Sequence, residues 1–98
     1  MRIIFGSEVE VEDDQNLARL EACSRLPADE LRRKLSSTAG FEPEGDGHVM
    51  ICPAVLIQLC ASKGDAEWRR GFDKMIAIAG QHGYLDSKGW VRAHFTSN

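Results

Sequence analysis

No uncharged apolar run in this 98-residue chain approaches the roughly 18 residues that a membrane-spanning helix needs, so no membrane association is expected. Metal-ligand pairs are missing as well. The three histidines and three cysteines form no CxxC or HxxxH element, and neither a metal nor another cofactor is expected. Glycine-rich phosphate loops of the GxGxxG or GxxxxGK(S/T) kind do not occur, and neither does a GxSxG elbow. The carboxylate clusters Glu8 to Asp14 and Glu42 to Asp46 lack the alternation of a calcium loop. Cys23, Cys52 and Cys60 are an odd number in a chain long enough to fold without staples, which predicts reduced thiols rather than a disulfide framework. The first residues carry one arginine and three consecutive apolar residues before turning acidic, too little for a secretory signal, so a cytoplasmic location is expected.

What is present suits one globular domain spanning 1–98, with 43% hydrophobic and 28% charged residues. The formal net charge of −3 argues against a protein held on nucleic acid by bulk charge alone. Its distribution is uneven. Met1 to Ser62 hold six basic and eleven acidic residues, net −5, whereas Lys63 to Asn98 hold six basic and four acidic, net +2. That asymmetry fits an inert, unevenly decorated surface, a head-to-tail association of copies, or a C-terminal part aimed at an anionic partner.

The most regular stretch is Gly64 to Phe95. Trp68, Phe72, Met75, Ile76 and Ala79 recur at three- and four-residue steps, the mark of one apolar helix face, and Asp65 is a good N-cap. Gly83 stops that helix. Asp86 to Gly89 then read as a reverse turn joining Tyr84 to an alternating strand, Trp90 to Phe95, in a C-terminal hairpin. Upstream, Arg2 to Phe5 and Glu8 to Glu12 read as short strands, and Asp14 to Ser24 as a helix facing inward through Leu17 and Leu20, with Cys23 a third candidate for that face. Pro27 opens a helix over Ala28 to Thr38, and Glu42 to Gly47 reads as a flexible turn. His48 to Ile51 reads as a strand, and Pro53 opens a further helix through Cys60.

The expectation is therefore an α+β domain of about four helices, a C-terminal β-hairpin and one or two short N-terminal strands. From Ala28 onward the order helix, strand, helix, helix, strand, turn, strand resembles that of a winged-helix domain. That resemblance implies a recognition helix over Asp65 to His82 and a nucleic-acid-binding patch of Arg69, Arg70, Lys74, Lys88 and Arg92. Asp65, Glu67 and Asp73 on the same helix oppose phosphate, and i,i+4 pairing of Arg69 describes a solvated face equally well.

The reading preferred here is a non-enzymatic module that binds a protein partner, or itself, through an aromatic hairpin and the neighbouring basic helix. Tyr84, Trp90, Arg92 and His94 would form that surface, since interfaces favour Trp, Tyr and Arg. The alternative is that Trp90 closes the core. A third reading makes Cys52 a reactive thiol of a small enzyme or accessory subunit, activated at a helix N-terminus with help from His48; against it, Ile51-Cys52-Pro53 also suits a buried corner.

Overall fold

The structure is a computed structural model that describes residues 1–96. Arg2 to Phe5, apolar and β-branched, form β1 (Arg2–Phe5), which pairs antiparallel with β2 (Val9–Glu12), Ile3 opposite Val11 and Phe5 opposite Val9. On its other side β1 runs parallel to β3 (Glu21–Ser24). Helix α1 (Ala28–Ser37) then crosses over to a second hairpin, β4 (Phe41–Glu44) with β5 (His48–Ile51). Two helices follow, α2 (Pro53–Leu59) and α3 (Ala66–Gln81), before β6 (Val91–Phe95) inserts between β3 and β5. The result is one six-stranded mixed sheet in the order β2-β1-β3-β6-β5-β4.

The sheet is curled. Phe5 of β1 and Phe41 of β4 have three strands between them, which in a flat sheet means four strand spacings, about 19 Å. Their ring centroids are 5.4 Å apart, edge to face, so the strands wrap into a half-barrel with both rings inside. Alternation assigns Ile3, Phe5, Ala22, Val49, Ile51, Val91 and Ala93 to the inner face. These join Leu35 of α1, Leu56 and Ile57 of α2, and Trp68 and Phe72 of α3 in a single buried cluster. The outer face is roofed differently. Arg92, opposite Met50 on β5, reaches across to Glu44 on β4 at 3.4 Å, and Met50 is only 7% exposed. Arg2 and Arg19 likewise converge on Glu21, at 3.2 and 3.4 Å.

Both edges resist further pairing. Edge strand β2 alternates Glu10 and Glu12 with its valines, and edge strand β4 carries Pro43, which has no N–H to offer, between Glu42 and Glu44.

The expected fold needs correction at four points. Three helices form among the described residues, because Asp14 to Ser24 do not fold as one: Asp13 takes a left-handed backbone (φ 56°), Asn16 and Leu17 close turns, and Glu21 to Ser24 become a strand. Leu17 and Leu20 supply too little apolar stripe for a helix to bury, and Cys23, the third residue expected on that stripe, is buried together with Ala22 as a strand residue instead. The domain is not a winged helix: its final strand lies inside a six-stranded sheet, paired parallel with β3 and antiparallel with β5. Glu42 to Gly47 are not wholly a flexible turn, since their first half belongs to β4. The C-terminal hairpin shrinks to one bridge, Leu85 to Val91, across a turn in which Asp86 accepts from the amides of Lys88 and Trp90 at 2.9 Å each. The long helix is present, with the Asp65 carboxylate accepting from Glu67 and Trp68 amides and Trp68 and Phe72 buried.

Candidate functional site

The amides of β6 point alternately to its two neighbours. On the side away from β5 the neighbour changes along the strand. Arg92 N–H donates to the Tyr84 carbonyl at 2.9 Å, whereas Thr96 N–H donates to the Ala22 carbonyl at 2.8 Å. The stub after α3 therefore covers the first part of that edge and β3 the last part. Between the two, the chain leading into β3 and the last turns of α3 diverge from β6 and leave a cleft of about 390 Å³, within the usual range for a ligand or side-chain site.

Its apolar side comes from Leu20, Met75, Ile78 and Ala79, and its polar side from Arg19, His48, His82, Tyr84, Arg92 and His94. All three histidines and the single tyrosine of the chain are thus gathered here. No aspartate or glutamate is among the described lining residues. The polar groups are mutually ordered. Tyr84 stacks on His82 with centroids 5.9 Å apart and receives the Arg92 guanidinium on its ring at 5.2 Å. His94 Nδ1 lies 3.2 Å from His48 Nε2 across the β5–β6 ladder, a hydrogen bond in which one ring must donate and the other accept. Ile78 and Tyr84 are 42% and 45% exposed, the large hydrophobic side chains that stand out at the described surface.

Three of the four residues expected at a partner surface, Tyr84, Arg92 and His94, line this cleft. Trp90 does not: it is half-buried on the turn, with the Lys88 ammonium 4.1 Å above its ring. It also stays out of the buried cluster, so it does not close the core. Arg19, Leu20, His48, Met75, Ile78, Ala79 and His82 are lining residues that the sequence does not assign to this surface. Ile78 falls among apolar helix residues that all suggest core, and His48 reaches the site only through strand pairing.

The cations expected to bind nucleic acid are dispersed or engaged. Arg69 pairs with Asp73 at 3.1 Å on the exposed face of α3, Lys88 with Glu42 at 2.7 Å and Arg92 with Glu44 at 3.4 Å. Arg70 and Lys74 are exposed on α3. Cys52 caps α2 without a side-chain hydrogen bond to it, and the nearby His48 is engaged by His94. Cys60, at the other end of α2, is buried, its thiol donating to the Leu56 carbonyl; burial, and secondarily the Asp14 charge, push it up to about 11. Among the described residues no group of three or more histidines, cysteines or carboxylates is arranged to hold a metal ion, and no helix is long and apolar enough to cross a membrane. Compared with protein-family models, curated proteins and solved structures, the chain matches none, and the cleft is interpreted from its own geometry.

Proposed function

We propose that this domain is a non-enzymatic interaction module whose contact surface is the cleft between α3 and β6. The observation that supports this reading is the coincidence of Ile78 and Tyr84. These two exposed large hydrophobic side chains line one concavity, with Arg92 and His94 at its edge. Exposed apolar groups scattered singly need no explanation, but an isoleucine and a tyrosine that share a cleft with an arginine have the composition of an interface centre. The surface differs from an aromatic hairpin: Ile78 takes the place of Trp90.

A photo-crosslinking residue at Ile78, with a control at the exposed Arg33 of α1, tests this in the cells that make the protein. A discrete heavier species of defined mass is expected from position 78 and not from 33. The chain recovered with it, purified, should bind the domain, and Ile78→Asp should weaken that binding about tenfold or more without lowering thermal stability. Equal crosslinking at both positions, or binding indifferent to Ile78→Asp, would remove the proposal.

A further inference from the structure

We infer that the occupant of this cleft is an acidic segment carrying an apolar side chain, and that its binding loads a proton onto the His48–His94 pair; the inference rests on the interaction reading above. Charge complementarity argues for the class of partner. The chain is net −3, with eleven of its fifteen carboxylates upstream of Lys63. None of them lines the cleft, whereas two arginines and three histidines do. Arg19 and Arg92 each give one nitrogen to a carboxylate outside the cleft, Glu21 and Glu44, both at 3.4 Å. A guanidinium has five N–H donors, so each retains capacity for a second acceptor. Met75 and Ile78 provide the surface on which an apolar side chain next to that acceptor would rest.

The proton follows from the histidine pair. A hydrogen bond between two imidazoles at 3.2 Å is satisfied when the pair is neutral or carries one proton; a second proton sets two cations against each other. The charged groups facing the pair come from every neighbouring element. Glu44 lies opposite His48 on β4, Glu21 opposite His94 on β3, and Asp46 sits in the β4–β5 turn. Each already holds an arginine: Glu44 has Arg92, Glu21 has Arg2 and Arg19, and Asp46 has Arg32. His82 and Tyr84 at the end of α3 add no negative charge while Tyr84 is a neutral phenol. Further protonation of the pair therefore lacks an unengaged anion until a ligand brings one. Anion and proton then favour each other by linkage.

The test is an NMR titration of the whole chain with three probes of one shape: 3-phenylpropionate, 3-phenylpropanamide and 2-phenylethylammonium. Shifts centred on Ile78, Tyr84 and His94 are expected, with the carboxylate about tenfold tighter than the amide and the ammonium weakest. The carboxylate should bind about threefold or more tighter near pH 6 than near pH 8, and H94Q should lose that gain while keeping a folded spectrum. Amide and carboxylate binding equally in the cleft would overturn the acidic class and leave the interaction reading intact. Affinity independent of pH would overturn proton loading. Binding of no probe at the cleft, or the same shifts produced by raising protein concentration alone, would overturn the inference, the latter by identifying a second copy as the occupant. The interaction reading falls separately, to loss of the Ile78 crosslink.

Discussion

Tyr84 and Arg92 are joined twice: the Arg92 amide donates to the Tyr84 carbonyl at 2.9 Å, and the Arg92 guanidinium returns over the Tyr84 ring at 5.2 Å. The backbone bond fixes the stub after α3 on β6, and the ring contact shapes the mouth of the cleft. Those jobs separate by mutation. Tyr84→Ala keeps the backbone bond and loses an exposed cation–π contact, so it should cost about 1 kcal/mol or less. Phe72→Ala, in the buried cluster, should cost about 3–5 kcal/mol. Urea denaturation of the two variants checks the contrast, and comparable losses would place Tyr84 in the core instead of at a surface.

Among the glycines, Gly40 has the least room for a side chain. It has φ +94°, and a Cβ there would stand 2.6 Å from Val55 Cγ2 and 2.8 Å from Val55 Cβ. Its carbonyl also accepts from the Cys52 amide at 2.8 Å, tying the start of β4 to the cap of α2. Gly40→Ala combines a left-handed backbone penalty of about 1–2 kcal/mol with overpacking of about 1–3 kcal/mol. Val55→Ala should not rescue it, because the offending Cβ remains. Gly64→Ala, with open space around it, should change stability by about 0.5 kcal/mol or less. Chemical denaturation midpoints of Gly40→Ala, Val55→Ala, their combination and Gly64→Ala test this.

What could be read from the sequence was whatever is decided within a few residues. The Asp65 cap, the Trp68–Phe72 spacing and the Asp86 turn are local chemistry, and each has its expected counterpart. Strand β3, Glu-Ala-Cys-Ser, has neither β-branched residues nor alternation, since its middle residues are buried on both faces of a parallel pairing. Strand β4, Phe-Glu-Pro-Glu, resembles a turn because a proline is tolerated at an edge. With β4 unread, the order of elements from Ala28 resembles a winged helix, and with β3 unread nothing marks the parallel partner that draws β6 into a curled sheet. The cleft was half visible for the same reason. Tyr84, Arg92 and His94 are neighbours in sequence, but His48 meets His94 only through a register spanning 46 residues.

Cys60 should give the folded domain a characteristic alkaline response. Burial, with the Asp14 charge behind it, raises its thiol from 9.0 to about 11. In the unfolded chain the thiol ionises from about pH 9, so the unfolded state gains while the folded one holds its proton. The contribution of Cys60 is thus complete below pH 9 and declines as pH rises towards 11, by on the order of 2–3 kcal/mol. Cys60→Ala should flatten that part of the stability profile. In the folded wild type at pH 8, a thiol reagent should label Cys60 only on unfolding, which stopped-flow mixing with denaturant would read directly.

The curl of the sheet makes Phe5 and Phe41 neighbours despite the three strands that separate them in hydrogen-bonding order, and this contact can be measured on its own. Edge-to-face aromatic pairs contribute about 0.5–1.5 kcal/mol beyond the area they bury. Phe5→Leu and Phe41→Leu each remove the pair while keeping an apolar side chain of similar reach, so the double variant should be less destabilised than the sum of the singles by that amount. Sites about 19 Å apart, as a flat sheet would place them, should add independently. Phe5→Leu combined with Tyr84→Ala serves as the additive reference, since no ring contact joins those two among the described residues. Coupling in the Phe5–Phe41 cycle with none in the reference is the result the half-barrel requires. Additivity in both would mean that the sheet does not close around its aromatic interior, and α3 and β6 would then lose the curvature that brings them together at the cleft.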